Sequence, residues 1–118
     1  MKSAFEQHRV DQALAKMAKV IHHPSGGHGA PSWAEAHSKD VLEGLRQLES
    51  RMRAHGMTLQ HGALPVAVYA ARELNKYFAG ASSDIANKDA AEVFYRCLRG
   101  GIEELRSLDQ ELAGKDAA

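Results

Sequence analysis

The chain has 118 residues, of which 44% are hydrophobic and 6% aromatic, and its 15 basic side chains balance its 15 acidic ones. This size and composition indicate one globular domain spanning residues 1–118. Charged or amide side chains interrupt the apolar runs, so no stretch approaches the roughly 20 apolar residues of a membrane-spanning helix. Glu6 and Arg9 lie where the apolar part of a secretory signal would be. Together with the single cysteine, this leads us to expect a cytoplasmic protein without disulfides.

The first helix is predicted over residues 3–22, because apolar residues recur there at the spacing of one helix face. We expect Phe5 to widen the same apolar stripe. Pro24 ends the helix, since proline lacks the backbone N–H that a helix needs. Residues 22–31, rich in glycine, proline and histidine, are predicted to form a loop. The stripe comprises Val10, Leu14, Met17 and Ile21.

The second helix is predicted over residues 32–55, and Gly56 offers it a left-handed C-terminal cap. The third is predicted over residues 65–80, with Pro65 in its first turn. Apolar residues cover more than half of the third helix, which is typical of the most buried helix in a bundle.

The fourth helix is predicted over residues 84–113, and residues 114–118 are expected to fray. Its apolar stripe continues in phase through Gly100 and Gly101. Two glycines inside a helix predict either a kink or the close approach of another backbone. Cys97 lies in this stripe, so we expect a buried and inert thiol. The four helices predict an all-α fold, arranged as an antiparallel four-helix bundle.

Four aromatic residues are the candidates for binding a partner, because exposed aromatics often form the centre of protein interfaces. Trp33 lies in the first turn of the second helix. Tyr69 and Tyr77 lie eight positions apart, nearly on one face of the third helix, and Tyr95 lies in the fourth. Since four helices of this length rarely bury every wide apolar stripe, we expect self-association through these residues. The alternative is that they complete the core with their hydroxyl groups at its rim.

The sequence offers no arrangement of nucleophile, base and orienting residue that would support catalysis. We therefore expect a non-enzymatic protein-interaction or regulatory protein, most simply a homodimer.

Four of the seven histidines lie in or near the predicted loop, and they give an alternative function as a metal- or ligand-binding bundle. The metal would be zinc, although structural zinc sites usually combine four closely spaced ligands with thiolates among them. A third function, nucleic-acid binding, is disfavoured by the balanced charge and the scarcity of aromatics. The candidate zinc ligands are His22, His23, His28 and His37.

Overall fold

The computed structural model describes residues 2–24, 27–28, 32–58 and 62–117, and these fold into five helices. The all-helical class that the sequence predicts is confirmed for this part of the chain, with five helices instead of four. The largest fully buried side chains come from the four longer helices. The helices are α1 (Ala4–Gln7), α2 (Val10–His22), α3 (Ser32–Ala54), α4 (Ala63–Phe78) and α5 (Lys88–Ala117).

The predicted first helix is divided in two at His8 and Arg9. Arg9 has a φ of 51°, in the left-handed region that interrupts a right-handed helix. A continuous helix would place Phe5, five residues before Val10, about 140° away from the apolar stripe. The break returns Phe5 to the core, where it is only 3% exposed. The prediction that Phe5 widens the stripe of an unbroken helix is therefore wrong.

One buried carboxylate holds α1 against α5. Asp109, 1% exposed, accepts hydrogen bonds from the backbone N–H of Ala4 at 2.8 Å and of Phe5 at 3.0 Å. The Ser3 hydroxyl accepts a third from the N–H of Glu6 at 3.2 Å. The first N–H groups of a helix have no partner within that helix. In α1, a capping residue and a distant carboxylate supply three of those partners.

The start of α5 lies four residues later than predicted. Asn87 precedes the helix, and its side-chain oxygen accepts a hydrogen bond from the N–H of Ala90 at 2.9 Å. Asparagine is a favourable N-cap residue. Asp84, which the prediction placed at the helix start, instead accepts a hydrogen bond from the Tyr69 hydroxyl.

Helix α5 passes through Gly100 and Gly101 without a break. A Cβ atom at Gly101 would lie 3.1 Å from the Cβ of Ala67, so this glycine allows α4 and α5 to approach closely. At Gly100 the same atom would meet nothing within 4 Å. The glycine pair predicted either a kink in the helix or the close approach of another backbone. The structure shows the close approach, and the approaching helix, α4, belongs to the same chain.

The buried face of α5 coincides only in part with the apolar stripe in which the sequence analysis placed Cys97. Cys97 is exposed, and so is Val93, at 53%. The prediction of a buried thiol is therefore wrong, because Cys97 lies to one side of the residues that face the core. Those residues include Ala91, Tyr95, Leu98, Ile102, Leu105, Asp109 and Leu112.

Polar contacts join α3 to its neighbours near both of its ends. Near its start, Asn75 of α4 donates hydrogen bonds to the backbone oxygen of Glu35 and to the hydroxyl of Ser38. Near its end, the Asp116 carboxylate lies 2.9 Å from the His55 ring nitrogen and 3.5 Å from Nε of Arg51. Asp116 belongs to α5, so that helix includes part of the segment, residues 114–118, that we expected to fray.

Candidate interaction surface

The four aromatic residues proposed for partner binding divide into two pairs. Trp33 and Tyr69 are 49% and 45% exposed, whereas Tyr77 and Tyr95 are only 2% and 8% exposed. The expectation that all four face a partner is therefore wrong for the second pair. Those two tyrosines complete the core, which was the alternative interpretation of the sequence.

Tyr95 is buried because it lies in the same helical phase as Leu98 and Ile102, which are fully buried. Its hydroxyl donates a hydrogen bond to the backbone oxygen of Leu14 in α2, at 2.8 Å. Burial raises the pKa of the Tyr95 hydroxyl. A polar atom inside the protein is thus satisfied, and this tyrosine joins α5 to α2.

Tyr77, near the end of α4, packs against His28, which follows α2 along the chain. Its ring lies 5.2 Å from that of His28 and 6.1 Å from that of Phe78. Burial raises the pKa of its hydroxyl, although a hydrogen bond to the backbone of His28 opposes the shift. Neither Tyr77 nor Tyr95 is exposed enough to form the centre of an interface with a partner protein.

Three of the exposed large apolar side chains lie on α4 and α5. Val66 is 52% exposed, Tyr69 45% and Val93 53%. Val66 and Tyr69 are one turn apart on α4. The Tyr69 ring lies 5.7 Å from that of the half-buried Phe94, which follows Val93 on α5. We call Val66, Tyr69, Val93 and Phe94 the α4–α5 face.

Hydrogen bonds fix the position of Tyr69 at the centre of this face. Its hydroxyl donates to the Asp84 carboxylate, and the N–H of Asp84 donates to Oε1 of Glu73 at 2.8 Å. Glu73 is buried, and its other oxygen pairs with Lys76 at 3.0 Å. The hydrogen bond to Asp84 raises the pKa of Tyr69 to about 12. A side chain held in this way loses little conformational freedom when a partner covers it.

A groove of about 290 Å³ adjoins Tyr69 on its other side, between α3 and α4. Its apolar wall comes from α4, and charged side chains from both helices surround it. The residues that line it are Glu49, Arg53, Leu64, Pro65, Val68, Tyr69 and Arg72.

Trp33 lies apart from the α4–α5 face, in the first turns of α3. Its indole ring contacts the imidazole of His37 edge to face, with 5.9 Å between ring centroids. Burial lowers the pKa of His37, the positive charge of Lys16 lowers it further, and Asp40 opposes both effects. The lowered pKa favours the uncharged form of the His37 imidazole that packs against Trp33.

The four histidines proposed as zinc ligands have separate environments. His22 and His23 end α2, His28 packs on Tyr77, and His37 packs on Trp33. Among the residues that the structure describes, no three His, Cys, Asp or Glu side chains are grouped so that they could hold a metal ion. The structure therefore gives the zinc alternative no support within those residues.

Comparisons of the chain with protein-family models, with curated proteins and with solved structures give no match. Within the described ranges, no helix combines the length and the apolar character needed to cross a membrane.

Sequence reasoning selected only Tyr69 from the α4–α5 face. Its other residues are apolar and lie in helices with wide apolar stripes, so they did not stand out as exposed: Val66, Val93 and Phe94. The periodicity of apolar residues in α5 indicates that Val93 is exposed. Leu98, Ile102 and Leu105 define one face, and Val93 is five residues before Leu98, far from that face on a helix of 3.6 residues per turn.

Proposed function

We propose that this protein is a non-catalytic interaction module that associates with a second copy of itself through the α4–α5 face. The observation that carries the proposal is the exposure of Val66, Tyr69 and Val93, each about half exposed, on that face. Neighbouring exposed apolar side chains on a folded domain are typical of a site where another protein binds. Burial of apolar surface contributes roughly 25 cal/mol per Å² to such an association.

A second copy is the partner that needs the fewest assumptions. In a two-fold symmetric dimer the same surface is used by both copies, so each apolar side chain faces an apolar surface of the other. Tyr69 supplies a large side chain of fixed position near the centre, which is the kind of residue that contributes most to interface energy. Cys97, exposed and four residues after Val93, lies at the edge of this surface.

The proposal includes an architecture and a cellular compartment. Helices α2 to α5 form an antiparallel four-helix bundle, and α1 covers one part of it through Asp109. The chain acts in the cytoplasm, in keeping with its one cysteine. Trp33, half exposed and distant from the α4–α5 face along the chain, is available for a contact with a different protein.

Light scattering after size exclusion, over a range of protein concentrations, tests the proposal. We expect the mass of a dimer for the natural chain and that of a monomer for the double variant Val66→Glu, Val93→Glu, because the two substitutions place four carboxylates in the dimer interface. Ala15→Glu is the matched control: Ala15 is exposed on α2, and we expect this variant to remain a dimer. Circular dichroism establishes that each variant is folded. A natural chain that is monomeric at every concentration would contradict the proposal.

A further inference from the structure

A cleft of about 260 Å³ lies between α2 and α5, and it is lined by residues that are not part of the α4–α5 face. Helix α2 contributes Ala18, Ile21 and His22 to its walls. Helix α5 contributes residues of one face, from Glu92 to Arg99. Pockets for drug-sized ligands usually measure about 300–1,000 Å³, so this cleft is slightly smaller than that range and has room for a ligand smaller than a drug, of about one ring.

The floor of the cleft is apolar. Ile21 is 1% exposed and Tyr95 is 8% exposed. The Tyr95 hydroxyl donates to the backbone oxygen of Leu14, so this residue presents the cleft with its ring and not with a free polar group. Ala18, partly buried, adds a methyl group beside it. This surface favours the apolar body of a ligand.

The rim of the cleft is positively charged. Arg96 and Arg99 lie one turn apart on α5, and within the described part of the chain neither makes an ion pair. Arg46, Arg53 and Arg106, by contrast, each pair with a carboxylate. The guanidinium of Arg99 lies 6.0 Å from the centre of the Tyr95 ring. Like charges one turn apart on a helix repel each other, and a bound anion would relieve that repulsion.

The balance of charge at the cleft also favours an anion. Glu92 is the one carboxylate among its lining residues, and it faces two guanidinium groups and the imidazole of His22. The two guanidinium groups and the one carboxylate therefore give the rim a net charge of about +1. Guanidinium groups match the planar geometry of carboxylate and phosphate oxygens, to which each can donate two parallel hydrogen bonds.

We propose that this cleft binds a small organic anion, one that carries a carboxylate or phosphate group on an apolar body of about one ring. Arg96 and Arg99 bind the charged group, and the body packs on Ile21 and the Tyr95 ring. Because no residue of the α4–α5 face takes part, this site and the proposed dimer can be tested separately.

The test follows amide resonances of the isotope-labelled full chain by NMR during titration with phenyl phosphate and with benzoate at millimolar concentrations. We expect saturable shifts for one or both anions, centred on His22, Tyr95 and their neighbours. Arg96→Gln and Arg99→Gln should each weaken binding about tenfold, because each loses hydrogen bonds to a charged group. Both side chains are exposed, so the variants keep the fold. Binding should also weaken as ionic strength rises.

Arg72→Gln is the matched control, since Arg72 is an exposed arginine outside this cleft, and it should leave the affinity unchanged. Benzyl alcohol, with a similar body but no charge, should cause no saturable shift. The proposal is overturned if neither anion gives saturable shifts, or if benzyl alcohol binds as tightly as the anions do. It is also overturned if inorganic phosphate binds as tightly as phenyl phosphate, since the apolar floor would then contribute nothing.

Discussion

Helix α5 has a charged residue, Asp109, on its buried side and an apolar residue, Val93, on its exposed side. In most proteins charged side chains are exposed and apolar ones are buried, so both positions are unusual. Asp109 is 1% exposed and Val93 is 53% exposed. The buried carboxylate is explained within the chain, because the N–H groups of Ala4 and Phe5 satisfy it. The exposed valine precedes Phe94, whose ring lies 5.7 Å from that of Tyr69, and both belong to the surface that we propose a second molecule covers. Changes at the two places should therefore affect different properties: stability at the first and association at the second.

The largest effect on stability is expected at Asp109. The variant Asp109→Ala leaves two buried N–H groups of α1 without an acceptor. We therefore expect the free energy of unfolding to fall by about 3–5 kcal/mol. Urea denaturation followed by circular dichroism measures this loss. Glu104→Ala is the control on the same helix, since Glu104 is exposed and its removal should change stability by less than about 0.5 kcal/mol. Equal losses for the two variants would show that Asp109 does not hold α1.

A smaller difference is expected between the two adjacent glycines of α5. An added Cβ meets nothing within 4 Å at Gly100 but lies 3.1 Å from the Ala67 Cβ at Gly101. Alanine is more favourable than glycine inside a helix, and at Gly101 the contact with α4 opposes that gain. We expect Gly100→Ala to be more stable than Gly101→Ala by about 1–2 kcal/mol. Urea denaturation of dilute protein checks the difference, and variants of equal stability would contradict the close approach of α4 and α5.

The smallest effect concerns the proton of Tyr69. The hydrogen bond to Asp84 raises its pKa to about 12, so the folded chain keeps this proton more tightly than the unfolded chain does. This contribution to the free energy of unfolding is therefore complete below pH 10, the pKa of an unperturbed tyrosine, and is lost as the pH rises towards 12. Ultraviolet absorbance of ionised tyrosine after a rapid pH jump measures the pKa values.

The variant Asp84→Asn sharpens that measurement. Without the carboxylate, the pKa of Tyr69 should fall towards 10, since the hydrogen bond to Asp84 is the main cause of the shift. The raised pKa of Tyr95 has burial as its main cause, so it should not change. A Tyr69 pKa that stays near 12 in this variant would mean that Asp84 does not hold the ring at the centre of the α4–α5 face.

Two helices could be predicted almost completely from the sequence. The helix expected over residues 32–55 is Ser32–Ala54, and the one expected over residues 65–80 is Ala63–Phe78. Each has a periodic apolar stripe and is followed by a glycine with positive φ, Gly56 after α3 and Gly80 after α4. Signals of this kind are local, so they can be read without knowledge of the rest of the fold.

The division between α1 and α2 could not be predicted in the same way. The partner of the Ala4 N–H is Asp109, 105 positions further along the chain, and no local pattern shows that pairing. Part of the signal was present, because Leu105, Asp109 and Leu112 lie at i, i+4 and i+7 on the buried face of α5. A carboxylate at that position indicates a buried acceptor, but it does not identify the donors.

The sequence predicted the residue type of the candidate surface, which is aromatic, better than it predicted which aromatic residues are exposed. Aromatic residues were selected for their chemistry, and Trp33 and Tyr69 are indeed exposed, whereas Tyr77 and Tyr95 are buried. The helical phase of Tyr95 relative to Leu98 would have separated it from the exposed pair. The rigid setting of Tyr69 depends on Asp84, which lies in the connection between α4 and α5, and connections of this kind are the least predictable parts of a chain.

The most direct test of the proposed dimer is the distance between Cys97 residues in two copies of the chain. Cys97 is exposed and is the one cysteine of the sequence, so a single spin label can be attached to the natural protein. Association through the α4–α5 face predicts a short and narrow distance distribution in pulsed dipolar spectroscopy, and its loss in the double variant Val66→Glu, Val93→Glu. A folded, labelled protein that shows no dipolar coupling above background, or the same coupling in the double variant, would contradict it.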